Sequence, residues 1–204
     1  MFVKICGTTS EEDALLAVAR QVSAALAHDI VRRLPPEVLT IGVFRDETPQ
    51  RVVEVVNGIG LKGAQLHGVE SPSAARWVGA RVGMTIKSFP AGHPALALAP
   101  DYGADVIMLD ADSPGSGQVF DWRLAQNVPD GTRLLLAGGL TPENVADAIA
   151  QVKPWGVDAA TGVESEPGRK DPRRLRAFVA AARAADPPAY EGEGEGPYDW
   201  QEEA

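Results

Sequence analysis

Short apolar runs of β-branched and aliphatic residues recur along the chain, separated by stretches of helical period, which is the signature of repeated βα units. The pattern predicts strands at 2–6, 39–44, 63–67, 84–89, 105–110, 133–138 and 156–160. The runs Val106-Ile107-Met108-Leu109 and Leu134-Leu135-Leu136-Ala137 are apolar at every position. Strands of that kind are covered on both faces, as in a parallel sheet flanked by helices.

Helix signals fill the intervals. Ser10 followed by Glu11, Glu12 and Asp13 reads as a capped start with acidic residues in the first turn. A helix over 24–34 should stop before Pro35-Pro36. Thr141-Pro142-Glu143-Asn144 is expected to open a further helix with proline at its first position. Asp171-Pro172 opens the last, whose inward positions are Leu175, Phe178, Val179 and Ala182. From Asp186 the periodicity ends, so the chain divides into a folded domain at 1–185 and an acidic Pro/Gly/Glu-rich tail at 186–204, expected to stay solvated.

Composition narrows the classes of function. The formal net charge is −9, with 28 acidic against 19 basic residues, which argues against a nucleic-acid partner. A single cysteine excludes an intramolecular disulfide and a cysteine-rich zinc site. No apolar run reaches the ~18 residues that span a bilayer. Met1-Phe2-Val3-Lys4 does not read as a signal peptide. A soluble cytoplasmic protein is expected, and a monomer, since no interface stripe stands out.

Parallel (β/α) barrels build their chemistry at the C-terminal ends of the strands, where every βα loop opens. Here those ends carry Cys6, His67, Lys87, Asp110, Gly138-Gly139 and Thr161-Gly162. Taken singly, each glycine pair reads as a tight strand-to-helix turn. Together, in the last two βα units, they suit a phosphate held by backbone N–H groups. Lys4 could point to either face of its strand, and Asp158, lying before the rim, reads as structural.

The motifs carry a resemblance. Val3-Lys4-Ile5-Cys6-Gly7-Thr8-Thr9, Gln65-Leu66-His67-Gly68, Leu109-Asp110 and Gly115-Ser116-Gly117-Gln118-Val119-Phe120-Asp121-Trp122 stand in the order found in phosphoribosylanthranilate isomerases. Leu136-Ala137-Gly138-Gly139-Leu140-Thr141-Pro142-Glu143-Asn144 and Thr161-Gly162-Val163-Glu164-Ser165 continue the series. The chain resembles that family over about residues 2–183. The resemblance implies a TIM-type (β/α)8 barrel and an Amadori rearrangement of a phosphorylated ribosylamine in tryptophan biosynthesis. It implies Cys6 as general base, Asp110 as general acid, phosphate at Gly138, Gly139, Thr161 and Gly162, and no cofactor or metal. Asp110 as an acid should titrate above ~3.9, and Cys6 as a base at or below ~8.5. His67 reads equally as a structural histidine or a ligand contact, and Gly115-Ser116-Gly117 as a loop able to move over substrate.

One departure stands out. Ala17-Val18-Ala19 runs straight into Arg20-Gln21-Val22-Ser23, where the family has a second strand and a loop ending in an arginine for the anthranilate carboxylate. Arg20 is the candidate for that contact, but the strand before it is missing. Seven strands are thus expected where a closed barrel has eight. Two other readings remain open at this point: a related phosphate-binding barrel isomerase of histidine biosynthesis, and a non-catalytic phospho-ligand binder. Cys6 speaks against the first, whose members resemble a pair of aspartates.

Overall fold

The computed structural model describes residues 1–7, 23–111 and 119–186. Seven parallel strands form one sheet: β1 (Phe2–Ile5), β2 (Ile41–Phe44), β3 (Gly63–Leu66), β4 (Thr85–Pro90), β5 (Val106–Asp110), β6 (Leu134–Leu136) and β7 (Gly156–Ala159). Their order is β1-β7-β6-β5-β4-β3-β2, so the first strand wraps round to pair with the last. The result is a barrel wall open along one seam, between β1 and β2. Residues 8–22, which include the expected first helix and Arg20, lie between these two strands in the chain and outside the described residues.

Among the described residues five α-helices and two longer 3-10 segments connect the strands. They are α1 (Ala24–Arg33), α2 (Pro49–Ile59), α3 (Pro72–Gly79), α4 (Val145–Val152) and α5 (Pro172–Ala184), with 3-10 turns at Pro94–Tyr102 and Trp122–Asn127. Thr48, Ser71 and Asp171 cap α2, α3 and α5, each followed by proline at the start of the helix. α1 ends one residue before Leu34, as Pro35-Pro36 requires. α4 differs from expectation: it starts at Val145 rather than at Pro142. The Asn144 side chain takes the Thr141 N–H at 2.8 Å and donates to the Gly139 carbonyl at 3.0 Å, holding 141–144 as a turn. An antiparallel pair, β8 (Glu164–Glu166) with β9 (Arg169–Lys170), follows the rim after β7 and has no periodic signal in the sequence.

Strand alternation sorts side chains between two faces. Leu66, Phe89, Ile107, Leu109, Leu136, Val157 and Ala159 face outward and are buried under the helices. Ile86, Val106, Met108, Leu135 and Ala137 face inward, with Phe2 and Ile41 packed against them. At the closed, N-terminal end of the strands Phe2 stacks on Trp155 at 4.6 Å between ring centres. Beside the seam Val43 keeps 49% of its surface exposed. Among the described residues no helix is long and apolar enough to cross a membrane.

Candidate active site

The inward alternation of β1 that places Phe2 in the barrel interior also sends Lys4 there. Its ammonium, 8% exposed, meets the Asp158 carboxylate of β7 at 2.8 Å. The two residues are register partners across the β1–β7 pair. The same positive charge acts on the Cys6 side chain, two residues along, and pulls its pKa down. Cys6 is held at the strand end by its own N–H, which donates to the Ala159 carbonyl at 2.8 Å. Burial pulls the Lys4 pKa down, but the attraction of Asp158 and of Cys6 outweighs it and raises it on balance.

Burial pushes the Cys6 thiol up, and Asp158 adds to the push, while Lys4 and Lys170 pull it down. The net direction is upward, opposite to what a free-standing base would show. Asp110, at the end of β5, is pushed up to about 6 by burial. The Ala111 N–H, donating to its Oδ1 at 2.8 Å, works the other way. His67 follows β3 with Nε2 at 3.6 Å from Asp110 Oδ2. Burial lowers the His67 pKa, and the cations Lys4, Lys87 and Arg45 reinforce the effect against Asp158.

Asp110, Gly138, Gly139, Thr161 and Gly162 line one cleft, joined there by Asp158. The glycines also meet a packing demand. Gly138 has φ +82° and a side chain there would run into the Ala111 backbone and the Phe120 ring. A Cβ on Gly162 would overlap the Leu140 carbonyl oxygen. Glycine thus lets the turns after β6 and β7 pack back to back, and their backbones end up facing the cleft. Arg174 of α5 braces this pair of turns, donating to the Gly162 carbonyl at 3.0 Å and to Glu143 at 3.0 Å. Lys170 of β9, fully buried, donates to the Ala160 carbonyl at 2.7 Å and pairs with Glu164 at 3.1 Å.

Two expectations change. Lys87 does not reach the rim interior: it lies on the helix side of β4, where its ammonium bonds Glu70 at 2.8 Å and the Gly68 carbonyl at 2.7 Å. Alternation from inward-facing Ile86 puts it there. Asp158, read as structural, lines the cleft and forms the buried pair with Lys4. A signal for both partners existed in the sequence. A lone charge inside Phe-Val-Lys-Ile and another inside Gly-Val-Asp-Ala, in strands covered on both faces, each demand an opposite charge. Gly115, Ser116 and Gly117 lie outside the described residues, as does Arg20. Among the described residues no group of three His, Cys, Asp or Glu side chains could hold a metal ion.

A parallel barrel wall with titratable side chains and two glycine turns gathered at the C-terminal strand ends is the arrangement of a TIM-type barrel enzyme. The sequence profile for N-(5'-phosphoribosyl)anthranilate isomerase matches residues 4–181. The N-(5'-phosphoribosyl)anthranilate isomerase of Desulforudis audaxviator is 42% identical over 204 aligned positions, taking in 90% of this chain and 98% of that protein. Those positions outnumber the residues of this chain that enter them, so the relative carries residues with no counterpart here. The phosphoribosyl anthranilate isomerase of Thermus thermophilus superposes with a TM-score of 0.83 at 38% identity, over 90% of this chain and 99% of that one. A phosphoribosyl anthranilate isomerase in complex with reduced 1-(o-carboxyphenylamino)-1-deoxyribulose 5-phosphate superposes with a TM-score of 0.75 at 32% identity, covering 89% and 98%. The chain belongs to the N-(5'-phosphoribosyl)anthranilate isomerase family, and its fold is that family's TIM-type barrel, with seven barrel strands among the described residues.

Proposed function

We propose that this protein isomerises N-(5'-phosphoribosyl)anthranilate to 1-(o-carboxyphenylamino)-1-deoxyribulose 5-phosphate, a step of tryptophan biosynthesis. The observation that carries the reading is the family match over residues 4–181, which takes in Cys6, Asp110 and both glycine turns. It sets the histidine-pathway alternative aside.

In this reading Asp110 gives its proton to the furanose ring oxygen, and the C1–O bond breaks as the anilino nitrogen forms a Schiff base. The Cys6 thiolate then takes the proton from C2, leaving an enolamine. A proton returns to C1 and the C2 hydroxyl loses its own, which yields the ketone and restores both groups. Every proton is moved and returned, so the net change is an isomerisation. The ester phosphate lies against the turns at Gly138-Gly139 and Thr161-Gly162. Arg20 meets the anthranilate carboxylate, and the loop at Gly115, Ser116 and Gly117 covers the substrate. We read the chain as a cytoplasmic monomer; light scattering at the mass of a single chain, 21.5 kDa, checks its oligomeric state.

Loss of anthranilate fluorescence on adding substrate measures turnover. Cys6→Ser and Asp110→Asn should each lower kcat by about 10²- to 10⁴-fold, the usual worth of a general acid or base, with KM little changed. Undiminished kcat in both variants contradicts the assignment of roles.

A further inference from the structure

Gln65 stands in the middle of β3, facing the barrel interior and 1% exposed. Its amide nitrogen lies 2.7 Å from His67 Nδ1, 3.2 Å from Ser88 Oγ and 3.3 Å from Met108 Sδ. Its amide oxygen has no partner. Turning the amide over would put the oxygen against His67 and Ser88 and leave both N–H donors buried without acceptors. One orphaned acceptor costs less than two orphaned donors. Ser88 supplies a second constraint: its hydroxyl is placed to donate to Met108 Sδ at 3.2 Å, which leaves Oγ free to accept from the Gln65 amide nitrogen.

We infer that Gln65 locks His67 into the neutral tautomer protonated on Nε2, so that His67 serves as an N–H donor to the Asp110 carboxylate and not as a second base. An Nδ1 that accepts from Gln65 cannot carry a proton, and a neutral imidazole then has its proton on Nε2. That nitrogen faces Asp110 Oδ2 at 3.6 Å, while Oδ1 is occupied by the Ala111 N–H. Such contacts tighten when substrate binds. The surroundings favour the neutral ring: burial disfavours the charge, Lys4, Lys87 and Arg45 press against it, and Asp158 and Asp110 pull the other way. As Asp110 hands its proton to the sugar, the new carboxylate charge falls on an oxygen that already faces a donor, which stabilises the ring-opening transition state more than the ground state. Gln65 is the positioning residue in this device. The catalytic half of the inference rests on the proposed isomerase reading; the tautomer does not.

The test is a long-range ¹H–¹⁵N spectrum of the full chain labelled at its three histidines, with His67 identified by the signals lost in His67→Gln. At neutral pH the wild-type His67 should show a protonated Nε2 and a bare Nδ1. Gln65→Glu, once its carboxyl is ionised, offers Nδ1 only acceptors, so the proton should move to Nδ1 and leave Nε2 bare, and kcat should then fall about 10- to 100-fold, the worth of one hydrogen bond to a charged group. A wild-type ring protonated on Nδ1, or an imidazolium, overturns the inference. So does a Gln65→Glu enzyme with inverted protonation and unchanged kcat. If that variant fails to fold, the wild-type spectrum still decides the tautomer, and Gln65→Met, which lacks the donor, serves for kcat. Absent turnover in the wild type would sink the isomerase reading and leave the tautomer result standing.

Discussion

In the free protein at neutral pH, Asp110 titrates near 6 and is mostly ionised, whereas the Cys6 thiol, raised by burial, is mostly protonated. The proposed reaction asks for the opposite pair, a protonated acid and a thiolate base. The active fraction is therefore a minor protonation state. It grows with pH below about 6, as thiolate accumulates while Asp110 keeps its proton, and levels off above that value as Asp110 ionises. The kcat/KM profile should bend near pH 6, and the bend should be absent from the residual activity of Asp110→Asn. Lys4 enlarges the thiolate fraction, so Lys4→Met should move the pH dependence of Cys6 alkylation to higher pH, with Lys4→Arg restoring part of it. The same Lys4→Met change strands Asp158 in the interior and should cost about 3–5 kcal/mol of stability, measurable by urea unfolding. Asp110 leaves its own trace on stability. Its folded pKa is raised above the ordinary 3.8, so the folded state holds a proton the unfolded state has lost, and stability falls as pH rises from about 4 to 6. Asp110→Asn should be about 1–3 kcal/mol more stable than wild type at pH 7.5, the difference vanishing below pH 4. A wild type that is the more stable at pH 7.5 contradicts the burial argument.

At the scale of elements, the rim is held by charges placed away from the cleft. Lys87 ties Glu70 and the Gly68 carbonyl to the outer face of β4, and Glu70 in turn accepts from the Gly68 and Asp46 N–H groups, which fixes the loops after β2 and β3. Arg174 does the same for the turns after β6 and β7. Arg174→Ala removes the brace without touching the acid or the base. KM should rise about fivefold, the worth of roughly one hydrogen bond, and kcat should change little; an unchanged KM would show that the turns hold their shape unaided. The strand that carries Asp110 was legible because a parallel strand buried on both faces leaves a long apolar run with one polar residue at the end. The Lys4–Asp158 pair was not recognised, since alternation fixes which residues share a face but not which face looks inward. The start of α4 was misplaced for a different reason: proline fits the first turn of a helix and a preceding turn alike, and the Asn144 side chain decided for the turn.

On the scale of the whole molecule, seven strands were countable from the sequence, and the seam falls where the count came up one short, between β1 and β2. Order along the wall came from tertiary pairing: nothing local in Phe2–Ile5 says that it joins Gly156–Ala159. The seam leaves the remaining architecture in place, because each βα unit packs its helix on its own strand and its neighbours. Lys4 and Cys6 belong to β1, one edge of the seam, and the β1–β7 pair joins them to Asp158 and the turns after β6 and β7. His67 and Asp110 reach the site from β3 and β5. The described groups proposed for the reaction thus stand on the seven described strands and their rim turns. The direct measurement is steady-state turnover of N-(5'-phosphoribosyl)anthranilate by the intact 204-residue chain, its mass verified at 21.5 kDa. The expected kcat/KM is at least about 10⁴ M⁻¹s⁻¹, the lower end of ordinary enzymes. A chain of that mass, folded by circular dichroism and without turnover, would contradict it.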